Sequence, residues 1–183
     1  MPTASEMIAT AKKPGLIEIN EVEAEGEVQA LLYALICVLK PKIAVETGCY
    51  FGGTTWVMAQ AIKTNKYGKL YSCDINDAYV EATHRRLTEL GSYGRWASVV
   101  TSTGVGLPQL AQADFIFSDS DYACRQAEIQ AAKPGAVIVV HDTSVESHKY
   151  NPSAPFLGDV VRKHGGLTFE AGRGFGIIVK KNA

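Results

Sequence analysis

The sequence predicts an α/β fold: a doubly wound, mostly parallel seven-stranded sheet with helices on both faces and an antiparallel C-terminal hairpin strand. Three observations predict it. Short β-branched runs alternate with segments of helical periodicity along the chain. The run Ala136 to Val140 is wholly apolar, as suits a strand buried on both faces of a parallel sheet. Near the end, Ala171-Gly172-Arg173-Gly174 joins two extended runs through four residues containing two glycines, a hairpin connection.

Residues 1–20 read as peripheral, with Ser5 capping a short helix through Ala11 that Pro14-Gly15 ends. From Val22 to Leu39 the positions Val28, Leu31, Leu32, Leu35, Ile36 and Leu39 keep helical spacing, and Pro41 closes the element. This helix is expected over a sheet edge or the mouth of the site. Ile43 to Thr47 is the first strand, and a helix follows from Thr54 to Lys63. Lys69 to Asp74 is the second strand. Asp77 is the expected N-cap of a helix to Leu90, with Val80 and Leu87 facing inward. Ala97 to Thr101 is the third strand, and a short helix spans Leu107 to Gln112. Ala113 to Ser118 is the fourth strand, followed by a helix from Ala123 to Ala132 that Pro134-Gly135 breaks. After the fifth strand, 144–155 reads as a loop. A helix from Phe156 to Lys163 precedes the strands Leu167 to Glu170 and Phe175 to Lys180, the last antiparallel to the others.

The 183 residues suit one domain, 1–183, with 1–40 a helical cap and 41–183 the ligand-binding core. A net charge of −1 gives no electrostatic case for nucleic acid as a partner. The longest apolar run, Ala30 to Leu39, is about half of a membrane span. Cys37, Cys49, Cys73 and Cys124 are widely spaced, without a C-x-x-C pair, which reads as reduced thiols in a cytoplasmic protein.

The chemistry gathers after the first strand. In Glu46-Thr47-Gly48-Cys49-Tyr50-Phe51-Gly52-Gly53-Thr54, strand gives way to a glycine turn and then to a helix N-terminus. Glycines let backbone amides approach a ligand, and the helix start adds unpaired N–H groups and partial positive charge. The bland alternative is a tight connection with no ligand. Asp74, ending the second strand, stands where an acid holds both ribose hydroxyls in doubly wound folds. The spacing E-x-G-x-x-x-G is not G-x-G-x-x-G, so a nucleoside without a pyrophosphate fits better than a dinucleotide. Further polar groups end the other parallel strands: Thr101 to Gly104, Asp119 to Tyr122, and His141 to Thr143.

These residues resemble the class I S-adenosylmethionine-dependent methyltransferases over roughly residues 22–181. Val45 to Thr54 resembles the family's first motif, Asp74 its ribose-binding acid, and Gly174 to Val179 its terminal hairpin strand. Glu25-Gly26 and Phe117-Ser-Asp-Ser-Asp-Tyr122 look like the small O-methyltransferases of the catechol and caffeoyl-coenzyme A type. The resemblance implies a Rossmann-like methyltransferase fold and S-adenosyl-L-methionine as cofactor. It places Glu46, Gly48, Tyr50, Gly52, Thr54, Asp74, Ser102, Thr103 and Asp119 around that cofactor. It implies O-methylation of a small-molecule acceptor, in a site that is open, takes a large acceptor, or is completed in a homodimer.

In the cation-dependent members, Mg2+ or another divalent cation is held by two aspartates and an asparagine; Asp119 and Asp142 fall at the aspartate positions and Thr143 at the third. Tyr122 stands where those enzymes carry a lysine. Three readings stay open: Asp119, Asp142 and Thr143 (or His148) as metal ligands with water; His141 or Asp142 as a metal-free general base beside Asp119; or a structural role for all. Two rival functions stand beside the methyltransferase: a non-catalytic cofactor-binding or regulatory domain, and a nucleotide-dependent oxidoreductase on a similar fold.

Overall fold

The structure is a computed structural model that describes residues 24–170 and 172–182. The helix expected over Ser5 to Ala11 lies outside them. In chain order the elements are α1 (Gly26–Leu39), β1 (Ile43–Thr47), α2 (Gly53–Asn65), β2 (Lys69–Asp74), α3 (Asp77–Glu89) and β3 (Ala97–Thr101). A 3-10 turn (Leu110–Gln112) precedes β4 (Phe115–Ser118), α4 (Tyr122–Ala131), β5 (Val137–His141), α5 (Val145–His148), α6 (Leu157–Lys163), β6 (Leu167–Phe169) and β7 (Phe175–Val179). The strands form one seven-stranded sheet in the order β3-β2-β1-β4-β5-β7-β6, in which β7 runs antiparallel to both its neighbours, β5 and β6, and the other pairings are parallel.

Strand alternation sends side chains to two cores. Ala44, Leu70, Phe115, Phe117 and Val139 pack under α1 and α2 with Leu32, Ile36, Met58 and Ile62. Val45, Ile116, Ile138 and Val140 face the other way, against Leu110, Ile129, Leu157 and Val161. The central strands β4 and β5 are therefore apolar at every position but the last. Helix α1 lies over the sheet face against α2 and starts at Gly26; the expected start at Val22 lies outside the described residues.

Three local expectations are corrected. Asn76, not Asp77, caps α3, accepting from the Ala78 amide at 3.0 Å. Asn76 has the extended backbone an N-cap needs, while Asp77 already lies in the first turn. The segment 144–155 contains a helical turn, α5, because the Ser144 hydroxyl accepts from the Ser147 amide at 3.1 Å. The helix expected over Leu107 to Gln112 is reduced to the single 3-10 turn.

The order β2-β1-β4 reverses the direction of chain progression at β1, and a crevice opens there beyond the carboxyl ends of the strands. Every polar cluster singled out in the sequence sits on or near it.

Candidate active site

The crevice is a cavity of about 470 Å³. Its wall follows the strand ends: Gly48 and Tyr50 after β1, Asp74 and Ile75 at β2, Ser102 and Thr103 after β3, Asp119 to Tyr122 after β4, and Asp142 after β5. Arg125 from α4 and Arg173 from the β6–β7 hairpin complete it.

The β1 turn is held tightly. The amides of Gly48 and Cys49 both donate to the Cys73 carbonyl, at 2.8 and 3.1 Å. Gly48 has φ +82°, and a Cβ there would lie 2.8 Å from the Asp119 carbonyl carbon. Tyr50 also takes a left-handed backbone, φ +47°, and its amide donates to Asp74 Oδ2 at 3.0 Å while Asn76 N donates to Oδ1. Asp74 is thus oriented by backbone on both oxygens with its edge on the cavity. Tyr50, Phe51 and Tyr79 pack edge to face beside it.

Glu46, Gly52 and Thr54 are placed away from the wall. Gly52 is the N-cap of α2, with φ +81°, and a Cβ would meet Thr83 Oγ1 at 2.8 Å. Thr54 is buried inside the helix. Glu46 is fully buried beneath the turn and accepts from the Thr55 and Ser72 hydroxyls. Burial pushes its carboxyl up to about 8; the Ser72 and Thr55 bonds only partly offset this, and the charges of Asp119 and Asp74 add to it. Glu46 is therefore a neutral prop for the β1 turn at neutral pH.

The opposite end of the cavity is an ion network. Arg125, 3 % exposed in its side chain, sends Nη2 to Asp119 Oδ1 at 3.2 Å and to Asp142 Oδ2 at 2.9 Å. Its Nε and Nη1 donate to the carbonyls of Ser120 and His141. Arg173 Nε binds the second Asp142 oxygen at 2.7 Å. His141 is fully buried, with Nδ1 3.0 Å from Asp119 Oδ1 and Nε2 2.8 Å from Glu25 Oε2. Glu25 Oε1 also accepts from the Arg173 amide, tying the start of α1 to the hairpin.

Both imidazole nitrogens face carboxylate oxygens, so both carry protons. Burial alone would lower the His141 pKa, but Asp119 above all, then Glu25 and Asp142, raise it to about 9. The general-base reading of His141 does not fit this geometry: it is an imidazolium behind the wall. Burial likewise raises the Asp142 carboxyl, and the charges of His141, Arg125 and Arg173 outweigh that and lower it. Asp142 carries a left-handed backbone, φ +59°, which aspartate tolerates better than most residues.

A family model described as a methyltransferase domain matches residues 45–143, from β1 to just past β5. The chain belongs to that family. Among solved structures, the SAH-bound methyltransferase PaMTH1 of Podospora anserina superposes with a TM-score of 0.70 at 15 % identity, covering 100 % of this chain and 89 % of that one. Cofactor-bound Rv0187 from MTB gives 0.72 at 19 %, covering 100 % and 92 %. The O-methyltransferase from Bacillus cereus in complex with SAH gives 0.67 at 18 %, covering 97 % and 89 %. At these identities the likeness establishes the fold. No curated protein sequence matches. The methyltransferase therefore has the Rossmann-like fold that its first motif implied, and the oxidoreductase alternative falls.

Asp119, His141 and Asp142 bring potential ligand atoms within 4.8 Å of one another. A divalent cation nevertheless does not fit this donor set. The place between the two aspartates is spanned by the Arg125 guanidinium, His141 is protonated, and Thr143 is buried off the cavity wall. Two arginines and an imidazolium already balance Asp119, Asp142 and Glu25, so these carboxylates keep no uncompensated negative charge to offset the dehydration of a divalent cation.

Sequence reasoning missed Arg125 and Arg173. A readable signal existed for the second, an arginine set between two glycines in a hairpin beside the site. Arg125 gave none, because its tie to the next strand, through His141 and Asp142, spans 16 and 17 positions.

The raised pKa values of Glu46 and His141 set an alkaline limit on the methyltransferase. Glu46 holds its proton more tightly when folded, so its contribution falls as pH rises from the ordinary 4.5 to about 8. The His141 contribution is whole below 6.5 and is lost as pH passes about 9. Thermal midpoints should therefore drop between pH 6.5 and 9, and Glu46→Gln should make the drop shallower. An unchanged slope in the variant would remove Glu46 from the cause.

Proposed function

We propose that the cavity binds S-adenosylmethionine along its Gly48–Asp74–Ser102 wall and seats a small-molecule acceptor at its Tyr122–Arg173 end. The chain is an S-adenosylmethionine-dependent methyltransferase, acting on oxygen. The observation that carries the reading is Asp74, with both oxygens steered by the Tyr50 and Asn76 amides at the rim of the switch-point cavity. Asp74 would take the ribose hydroxyls, and Ser102 and Thr103 would flank the adenine. Gly48 would lie under the methionine portion, where absence of a Cβ keeps the turn against Asp119. The solved relatives held with SAM or SAH, among them an O-methyltransferase of Streptomyces achromogenes in complex with SAM, support this reading.

The cofactor, once bound, supplies a methyl carbon that is already electrophilic, so the chain's residues have mainly to align an acceptor and exclude water. The ion network does the aligning: Arg125 locks the β4 and β5 ends together, and Glu25 clamps the hairpin that carries Arg173. Asp119 and Asp142 hold those cations in place.

The reading includes action without nucleic acid, supported by the small net charge, and a cytoplasmic setting, supported by four free cysteines. Among the described residues no helix is long and apolar enough to cross a membrane. A homodimer is part of the proposal, with exposed Leu167 and Phe169 on edge strand β6 offering a surface; light scattering decides it. Incubation with methyl-labelled S-adenosylmethionine and an acceptor panel tests the function. Label should move to an acceptor oxygen, and tight cofactor binding without transfer to any acceptor would leave a binding domain instead.

A further inference from the structure

We infer that Glu128, buried behind the cavity wall, is a positioning residue for the cofactor's base: it fixes the Ser120 hydroxyl as a hydrogen-bond acceptor beside Gly104, and that acceptor receives the adenine amino group. The inference rests on the proposed function and names the contact by which the site tells one base from another.

Three strand ends converge on Glu128. The residue stands in α4, fully buried, and takes no part in the cavity wall. Its Oε2 accepts from the Thr47 hydroxyl at the end of β1, at 2.8 Å, and from the Ser118 hydroxyl at the end of β4, at 2.6 Å. Its Oε1 accepts from the Ser120 hydroxyl at 2.7 Å. Gly104, in the loop after β3, packs on the same carboxyl group: a Cβ there would lie 2.6 Å from Glu128 Cδ and 2.8 Å from Thr47 Cγ2. Ser120 and Gly104 both line the cavity, so one buried side chain sets the spacing between two parts of its wall.

The direction of one proton decides what that wall can recognise. A serine hydroxyl has a single proton to give and two lone pairs to offer. The other acceptor near Ser120 Oγ is the Asp121 carbonyl, at 3.5 Å, so the proton goes to Glu128. Ser120 keeps only acceptor capacity for the cavity. With the methionine portion over Gly48 and the ribose on Asp74, the base falls between the Ser102–Gly104 loop and Ser120. Its amino group is the donor that matches. A base without that donor leaves the serine oxygen desolvated and unpaired, and a site built for an N–H group rejects such an analogue.

The test is calorimetric titration of the full chain with S-adenosylhomocysteine and with its purine analogue, which carries hydrogen in place of the amino group. The wild type should bind the adenine compound about ten-fold or more tighter, the scale of one hydrogen bond whose loss strands its partner. Ser120→Ala should bring that ratio below about three-fold. Glu128→Gln should do the same: its amide oxygen suits the Oε2 place, where two hydroxyls donate, which sets the amide nitrogen as a donor against Ser120 and frees the serine proton. The double variant should show no further loss, because Glu128 acts through Ser120. Thr47→Val removes a different donor from the same carboxyl group; it should lower the unfolding midpoint and leave the ratio unchanged, which separates positioning from a merely structural tie. Equal binding of the two compounds by the wild type, or a ratio kept in Ser120→Ala, would overturn the inference, and these two measurements decide it even where Glu128→Gln fails to fold. Equal weakening of both compounds in Glu128→Gln would overturn it as well. Failure of S-adenosylhomocysteine to bind the wild type sinks the cofactor reading first, so the two failures are told apart.

Discussion

Arg125→Ala should destabilise the protein by about 3–5 kcal/mol, the scale for removing one member of a buried ion network. The variant leaves Asp119 and Asp142 facing one another without the guanidinium that spans them, and strips the Ser120 and His141 carbonyls of their donor. Urea unfolding at pH 7 measures the loss. Millimolar manganese should restore part of it in the variant and leave the wild type unchanged, because only the variant exposes an empty pair of carboxylates. Arg125→Lys should recover less than half, since an ammonium cannot make the same fork of hydrogen bonds. A loss under about 1 kcal/mol would mean that the strand ends hold together without Arg125.

Gly48→Ala should cost about 3 kcal/mol and at least ten-fold in S-adenosylhomocysteine affinity. A left-handed backbone at φ +82° costs an L residue about 1–2 kcal/mol by itself. The new methyl also has to push the Asp119 backbone away, because the carbonyl carbon lies 2.8 Å from the Cβ position. That backbone carries one end of the Arg125 network, so the damage spreads from the cofactor wall to the acceptor end. Gly94→Ala is the control: φ is similar, +81°, but nothing lies within 4 Å. It should cost only the backbone part. Equal losses at the two glycines would show that the close approach to Asp119 contributes little.

The sheet was legible because its strands are short β-branched runs with polar groups confined to their carboxyl ends. Phe115, Ile116 and Phe117 are all buried, on alternating faces, and only a sheet covered on both sides asks for that. The antiparallel β7 followed from the length and glycines of one loop. Turn α5 was not legible, since a single serine cap over four residues is a weak local signal. On the site, Gly48, Tyr50, Asp74, Ser102, Thr103, Asp119 and Asp142 line one cavity. Glu46 looked the same in sequence as a ligand-binding acid and proves to be a buried prop. His141 and the metal reading failed for a shared reason. Both are set by partners distant in sequence, Glu25 at the start of α1 for His141 and Arg125 and Arg173 for Asp142, and pairing of that kind leaves no periodic or spacing pattern.

The most direct test of the account is calorimetric titration of S-adenosylhomocysteine into the wild type and Asp74→Ala. Micromolar binding in the wild type, weakened by about 1.5–3 kcal/mol in the variant, is the predicted result, the scale of hydrogen bonds to a charged group. Unchanged affinity in Asp74→Ala, or no binding to the wild type, would contradict it.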